Sequence, residues 1–351
     1  MMRIYKEKRT LIKKSNEYYP ELNGLRTIAA LSIVVMHIEA NSDYQIEGFI
    51  SSHIISTLGN FVMLFMMISA FSMCCGYYEK FMHNDISLVE FYGKRWKRVW
   101  PFFALLVLID LLIEHNLNSL YEAFADLTLT FSLLPNPKIE VIGIGWFLGI
   151  VFLFYMLFPF FCFLLKDKKT AWLSFVVCIL YHFVCEEYFL DERHVGENFG
   201  GNSFLWYAMY FMAGGLIWLY RVELIKLARK VKWLLLIICL GMTAGYFWFG
   251  NLQSGYFNSF WLLITFSLWL IYTIACGGKL LDNKITGFIS NISMEIYLCH
   301  MLVFRVVEKI GFLYIFGNGW IAYLVTCIIV VCGAVFFAYA FRYAKSLIAK
   351  K

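Results

Sequence analysis

Charge is what this chain has least of. Asp, Glu, Lys and Arg make up 15% of its 351 residues, against 61% hydrophobic ones; an average soluble domain carries about 25% charge. Once the apolar stretches are set aside, no segment long enough for an ordinary soluble domain remains, which excludes a soluble enzyme. The usual catalytic signatures are missing too. There is no GxSxG elbow, no GxxxxGK[ST] phosphate loop, no HExxH and no GxGxxG. The ten cysteines are scattered, mostly within apolar runs, and form no CxxC pair. That argues against a disulfide framework and against a zinc site, so no metal is expected. No internal repeat stands out.

What is present instead is a series of long apolar runs. They predict ten transmembrane helices at about 22–40, 54–78, 99–114, 143–166, 170–189, 203–221, 232–250, 256–277, 285–308 and 319–341. The third is near the lower length limit for a span. The stretch 119–135 reads as interfacial or re-entrant. This is an all-α, polytopic membrane bundle: a basic tail over 1–21, one membrane domain over 22–341, and a second basic tail over 342–351.

The positive-inside rule supplies a separate test of that count. With the N-terminus inside, the two tails and the even-numbered loops hold 25 of the 30 Lys and Arg residues. The outer loops hold 3, namely Lys138, Arg193 and Lys309, and Arg26 and Arg305 fall within spans. Both termini are therefore expected on the cytoplasmic side. The net charge of +6 then marks the face toward anionic lipid and implies no nucleic-acid partner.

Ionisable groups inside spans are costly and point to function. Arg26 and His37 lie eleven residues apart in LNGLRTIAALSIVVMHIEA, on one helical face and roughly 16 Å apart along the axis. Each has a plain alternative, Arg26 as a head-group anchor and His37 as an interfacial histidine. A second histidine shifts the balance. Counting from the helix starts puts His37 and His300 about 20 Å into their spans, at similar depth in the outer half. In the first inner loop, Arg95 and Arg98 stand at i and i+3, a spacing that presents two guanidinium groups on one helical face and suits phosphate. Topology alone would also explain either one. Ser69 and Ala70 place small residues in a bulky span, where close helix packing is the default. Trp146 opens its helix as an interfacial anchor would. Glu295 lies more than a turn from His300 and is deep enough to orient another polar group.

Taken in order, these segments resemble the acyltransferase 3 family of membrane O-acyltransferases. ELNGLRTIAALSIVVMHI is similar to the family's first helix with its Arg-x10-His spacing, and FMMISAF to an F-x-x-S-G-F element. KRWKRVWP resembles its Arg-x-x-Arg loop through Arg95, Arg98 and Pro101. WFLGIVFLFYMLFP resembles its Trp-containing fourth helix through Trp146, Tyr155 and Pro159. NISMEIYLCH resembles its late element through Ser293, Tyr297 and His300. Two departures stand out: Ala70 replaces a glycine, and Val151 stands near a position where many members are acidic. A mechanism that uses that carboxylate does not transfer here.

The resemblance implies a multi-pass protein of the bacterial cytoplasmic membrane. It would move an acyl group, acetyl in the simplest case, from cytoplasmic acyl-coenzyme A to a sugar hydroxyl of a lipid-linked or cell-surface glycan. Arg95 and Arg98 would hold the donor's phosphates. Arg26 would hold a phosphate or polarise the thioester carbonyl. His37 would be the general base, or carry the acyl group covalently, and His300 would orient the acceptor or relay a proton. Ser69, Trp146, Glu295 and Tyr297 would support the substrate site. With no esterase-like domain after the helices, the chain would complete transfer itself or hand the group to a separate extracytoplasmic protein. The rival expectation is a glycan exporter with an Arg- and His-lined path.

Overall fold

The computed structural model describes residues 18–114, 117–129, 131–133, 143–189, 203–249 and 255–348. Among these residues every regular element is helical, so the chain is an all-α bundle. Residues 1–17, which include most of the basic N-terminal tail, lie outside the described residues, as do Lys138 and Arg193.

The helices follow the apolar runs. They are α1 (Leu22–Ala40), α2 (Ile50–Met82, with π and 3-10 turns at its start and a π turn at Cys74–Tyr78), α3 (Leu88–Glu114) and α4 (Leu117–Thr128). Next come α5 (Trp146–Leu164), α6 (Lys168–Val184), α7 (Phe204–Leu219), α8 (Arg221–Lys230), α9 (Lys232–Phe249) and α10 (Tyr256–Cys276). The last three are α11 (Lys284–Asn291), α12 (Ser293–Lys309) and α13 (Trp320–Ile348).

Seven helices among the described residues are long and apolar enough to cross a membrane, and two bent pairs bring the number to nine. The remaining expected span, 99–114, differs in kind. It is the apolar half of α3, whose charged first half carries Glu90, Lys94, Arg95, Lys97 and Arg98. The Arg-x-x-Arg element is therefore helical and continuous with the following run, not a loop. Pro101 is inside this helix. The expected helix at 285–308 is also two pieces, α11 and α12, bent by 69° around Ile292. A 78° bend separates α7 from α8 where the sequence changes from wholly apolar to RVELIKLARK. The segment at 119–135 forms the amphipathic 12-residue α4 and a short turn at Phe131–Leu133; twelve residues fall short of a span. Residues 130, 134 and 135 lie outside the described residues.

α1 is the hub, packed against α2, α11, α12 and α13. Close approach needs small residues: a Cβ on Gly24 would stand 2.6 Å from Leu281 Cβ. Where α2 crosses α7, a Cβ on Gly214 would stand 2.2 Å from the Met67 carbonyl oxygen and 3.0 Å from Ala70 Cβ. The small residue at 70 thus serves packing, and Gly214 makes room for its methyl group. Hydrogen bonds moor α1 to its neighbours. Thr27 Oγ1 donates to the Thr286 carbonyl (3.1 Å), Ser290 Oγ to Asn23 Oδ1 (3.0 Å), and Tyr323 OH to the Val35 carbonyl (3.0 Å). Such bonds contribute about 0.6–2 kcal/mol each within a membrane, so they set register while packing holds the bundle. α6 and α9, by contrast, leave large apolar side chains such as Trp172, Leu173, Trp233 and Ile237 exposed, as lipid-facing helices do.

Candidate active site

A cavity of about 460 Å³ opens among α1, α2, α3, α5 and the α11–α12 bend. Its wall includes Arg26, Arg95 and Arg98 and not one Asp or Glu. Three guanidinium groups with no carboxylate lining make an electrostatic site for an anion.

Each arginine is held differently. Arg95, on α3, donates from Nη2 to Tyr77 OH (2.7 Å), and its guanidinium lies 4.9 Å from the Tyr77 ring and 5.7 Å from the Tyr155 ring. Cation–π contacts of this kind contribute up to about 2 kcal/mol when desolvated. Its Nε is buried without a hydrogen-bond partner. Arg98, one turn on, reaches Glu295 Oε1 (3.3 Å) and the Asn291 carbonyl (2.9 Å). Arg26 donates from Nη2 to Ser72 Oγ. A second cavity, of about 430 Å³, shares Tyr18, Arg26 and Ser72 with the first, so Arg26 borders both spaces. The pair Arg95 and Arg98 does share the cavity, but as two separately anchored charges and not as a parallel fork.

The histidines meet. His300 Nε2 lies 3.0 Å from His37 Nδ1, and the rings stack with centroids 5.1 Å apart. His300 is fully buried, and its Nδ1 donates to the Tyr297 carbonyl (2.7 Å). A carbonyl oxygen only accepts, so that nitrogen carries the proton. With both rings neutral, His300 Nε2 must accept, and His37 Nδ1–H is the donor. The network therefore assigns a lone pair to His37 Nε2. His37 keeps partial exposure while His300 has none. Neither ring lines the cavity. Arg26 and His37 remain on one uninterrupted helix, roughly 16 Å apart by rise. Between them Ala30 and Ile33 are fully buried.

Tyr297 connects the two regions. Its side chain lines the cavity and donates to the Ile144 carbonyl (2.7 Å), while its carbonyl fixes His300. Ser69 also lines the cavity, as does Val151. Trp146 does not; it packs on Phe147 and Tyr207 with centroids 5.7 and 6.1 Å away, and it is Phe147 that reaches the wall. Glu295 stands behind the wall, 3% exposed, where Arg98 meets it. Sequence reasoning missed Tyr77, Ser72, Asn23 and Asn291 as cavity residues. Tyr77 sits on a lipid-soluble run with no local signal. Asn23 had one, an amide beside Arg26 in the first helical turn.

The polytopic helical bundle thus joins an arginine-lined cavity and a hydrogen-bonded histidine pair through α1 and α12. The family model described as an acyltransferase domain matches residues 19–339, and the chain belongs to that family, acyltransferase 3. No curated protein and no solved structure matches the chain.

Proposed function

We propose that this protein transfers an acyl group, acetyl in the simplest case, from acyl-coenzyme A to a hydroxyl of a lipid-linked or cell-surface glycan. The observation that carries this reading is the cavity wall with three arginines and no carboxylate, linked through Tyr297 to a histidine pair that leaves a ring nitrogen free. The arginine-bearing end of the bundle faces the cytoplasm in this reading, where the donor is made. Arg95, Arg98 and Arg26 bind donor phosphate; Arg26 stands about three helical turns from His37, too far to polarise a carbonyl held there. The second cavity, which Arg26 also borders, gives further room for such a donor.

His37 Nε2 takes the proton from the acceptor hydroxyl as its oxygen attacks the thioester carbonyl. The carbon–sulfur bond breaks, and the departing sulfur receives that proton. His300 supports the charge that develops on His37 by accepting the Nδ1 proton's hydrogen bond, with the Tyr297 carbonyl fixing His300 in turn. The roughly 16 Å between Arg26 and His37 is spanned by the donor's thin pantetheine arm.

The test replaces His37 with alanine, confirms normal membrane levels, and quantifies ester-linked acyl groups on the surface glycan. The expected result is glycan assembled and exported but unacylated. Unchanged acylation would overturn the assignment, and loss of the glycan itself from the surface would favour an exporter.

A further inference from the structure

Arg342 reads in sequence as the first residue of a basic tail, but α13 runs on to Ile348 and carries it inward. Its Nη2 and Nε lie 2.6 and 2.8 Å from Glu295 Oε1, and Nη2 also meets the Asn291 carbonyl. Arg98 uses the same two acceptors, at 3.3 and 2.9 Å. One carboxylate oxygen and one carbonyl at the α11–α12 bend thus serve two guanidinium groups. The other carboxylate oxygen, Oε2, is buried with no hydrogen-bond partner. The sharing is unequal. Arg342 holds the carboxylate through two short bonds and does not line the cavity, while Arg98 holds it through one longer bond and does.

We propose that Arg342 is a positioning residue that neutralises Glu295, so that Arg98 is held in place yet keeps its positive charge for an anion in the cavity. The inference rests on the donor-binding reading above. Glu295 is 3% exposed, and a buried carboxylate acts on neighbouring charges at low effective dielectric. With Arg342 removed, that charge has Arg98 as its remaining partner. Arg98 would then form a closed ion pair, and its field at the cavity would be cancelled. The pair Glu295–Arg342 therefore works as a unit: either both charges or neither leaves Arg98 available.

This predicts a charge-dependent pattern, which simple loss of packing would not produce. The full chain, purified in detergent micelles, is titrated with coenzyme A as a non-reactive probe, and steady-state transfer is measured alongside. Arg342→Gln is expected to weaken coenzyme A binding about tenfold, the lower end of what a hydrogen bond to a charged group contributes, with kcat nearly unchanged. Arg342→Lys is expected to bind within about threefold of the wild type, and the double variant Glu295→Gln/Arg342→Gln to recover part of what Arg342→Gln loses, given that the charge balance is kept in each. A double variant no better than Arg342→Gln would overturn the proposal, as would a loss in kcat with binding intact. Where Arg342→Gln does not fold, Arg342→Lys carries the test, and weak binding by it overturns the proposal. Wild-type protein that does not bind coenzyme A would instead overturn the donor reading on which the proposal stands.

Discussion

The arginine cavity and the histidine pair share helix α1 and differ in almost every physical respect. The cavity is open, about 460 Å³ in volume, and its three cations have donors to spare, including a buried Arg95 Nε without a partner. The histidine pair is closed, packed ring on ring, and every ring nitrogen but one has a protein partner. An open, cationic space is suited to binding a large anion. A hydrogen-bonded pair with a single free lone pair is suited to moving one proton. On the proposed function, that difference separates binding from chemistry along the helix, so substitutions in the two regions should fail in different ways.

The largest effect is expected at the pair. His37→Ala should lower turnover by about 10²–10⁴-fold, the usual contribution of general acid–base catalysis, with the donor KM little changed; kinetics on purified protein would show this. A matching rise in KM would erase the distinction between the regions. Next come the cavity cations. Arg95→Ala or Arg98→Ala should raise the donor KM by about 10–100-fold, since a hydrogen bond to a charged group contributes about 1.5–3 kcal/mol. Arg95→Lys should recover only part of the loss, because an ammonium group cannot stack between Tyr77 and Tyr155 as a planar guanidinium does.

A substitution outside both regions sharpens the comparison by failing in neither manner. Gly214→Leu forces a side chain against the Met67 carbonyl and Ala70, and overpacking of this kind costs about 1–3 kcal/mol. It should lower the thermal midpoint in micelles while the surviving protein keeps its donor KM. The smallest effect is one of pH. Asp167 caps α6, accepting from the Thr170 backbone N–H (2.9 Å) and hydroxyl (2.6 Å), and these bonds hold its carboxyl below the usual carboxylate range. A lowered pKa stabilises the fold above the ordinary carboxylate value, and the contribution is lost as pH falls through the folded value. The wild type should therefore lose slightly more stability on acidification than Asp167→Asn does, as thermal melts at stepped pH would show.

Much of the fold was legible because apolar runs and basic loops report spans and their spacing directly. The bends were not. Ile292 is neither Gly nor Pro, and nothing local marks it as the place where 285–308 divides. The sequence estimate that put His37 and His300 at equal depth assumed one straight helix from Ile285. The two rings do touch, but through the packing of α12 on α1 and not through that arithmetic. Within the cavity, Arg26, Arg95 and Arg98 were readable from residue type and spacing, while Ser69 and Tyr297 stood out as site residues only through the family resemblance. Arg342 was not, because a basic residue near the end of a chain looks the same whether it faces solvent or a buried carboxylate. Trp146 misled in the other direction, as its large ring packs on Tyr207 and leaves the wall to Phe147.

Coenzyme A affinity, compared between His37→Ala and Arg98→Ala in the same micelles, tests the separation most directly. His37→Ala should bind coenzyme A as the wild type does, while Arg98→Ala should bind it about tenfold or more weakly, as expected for a lost charge-assisted contact. Equal loss of affinity in both variants, or loss in His37→Ala alone, would contradict the separation.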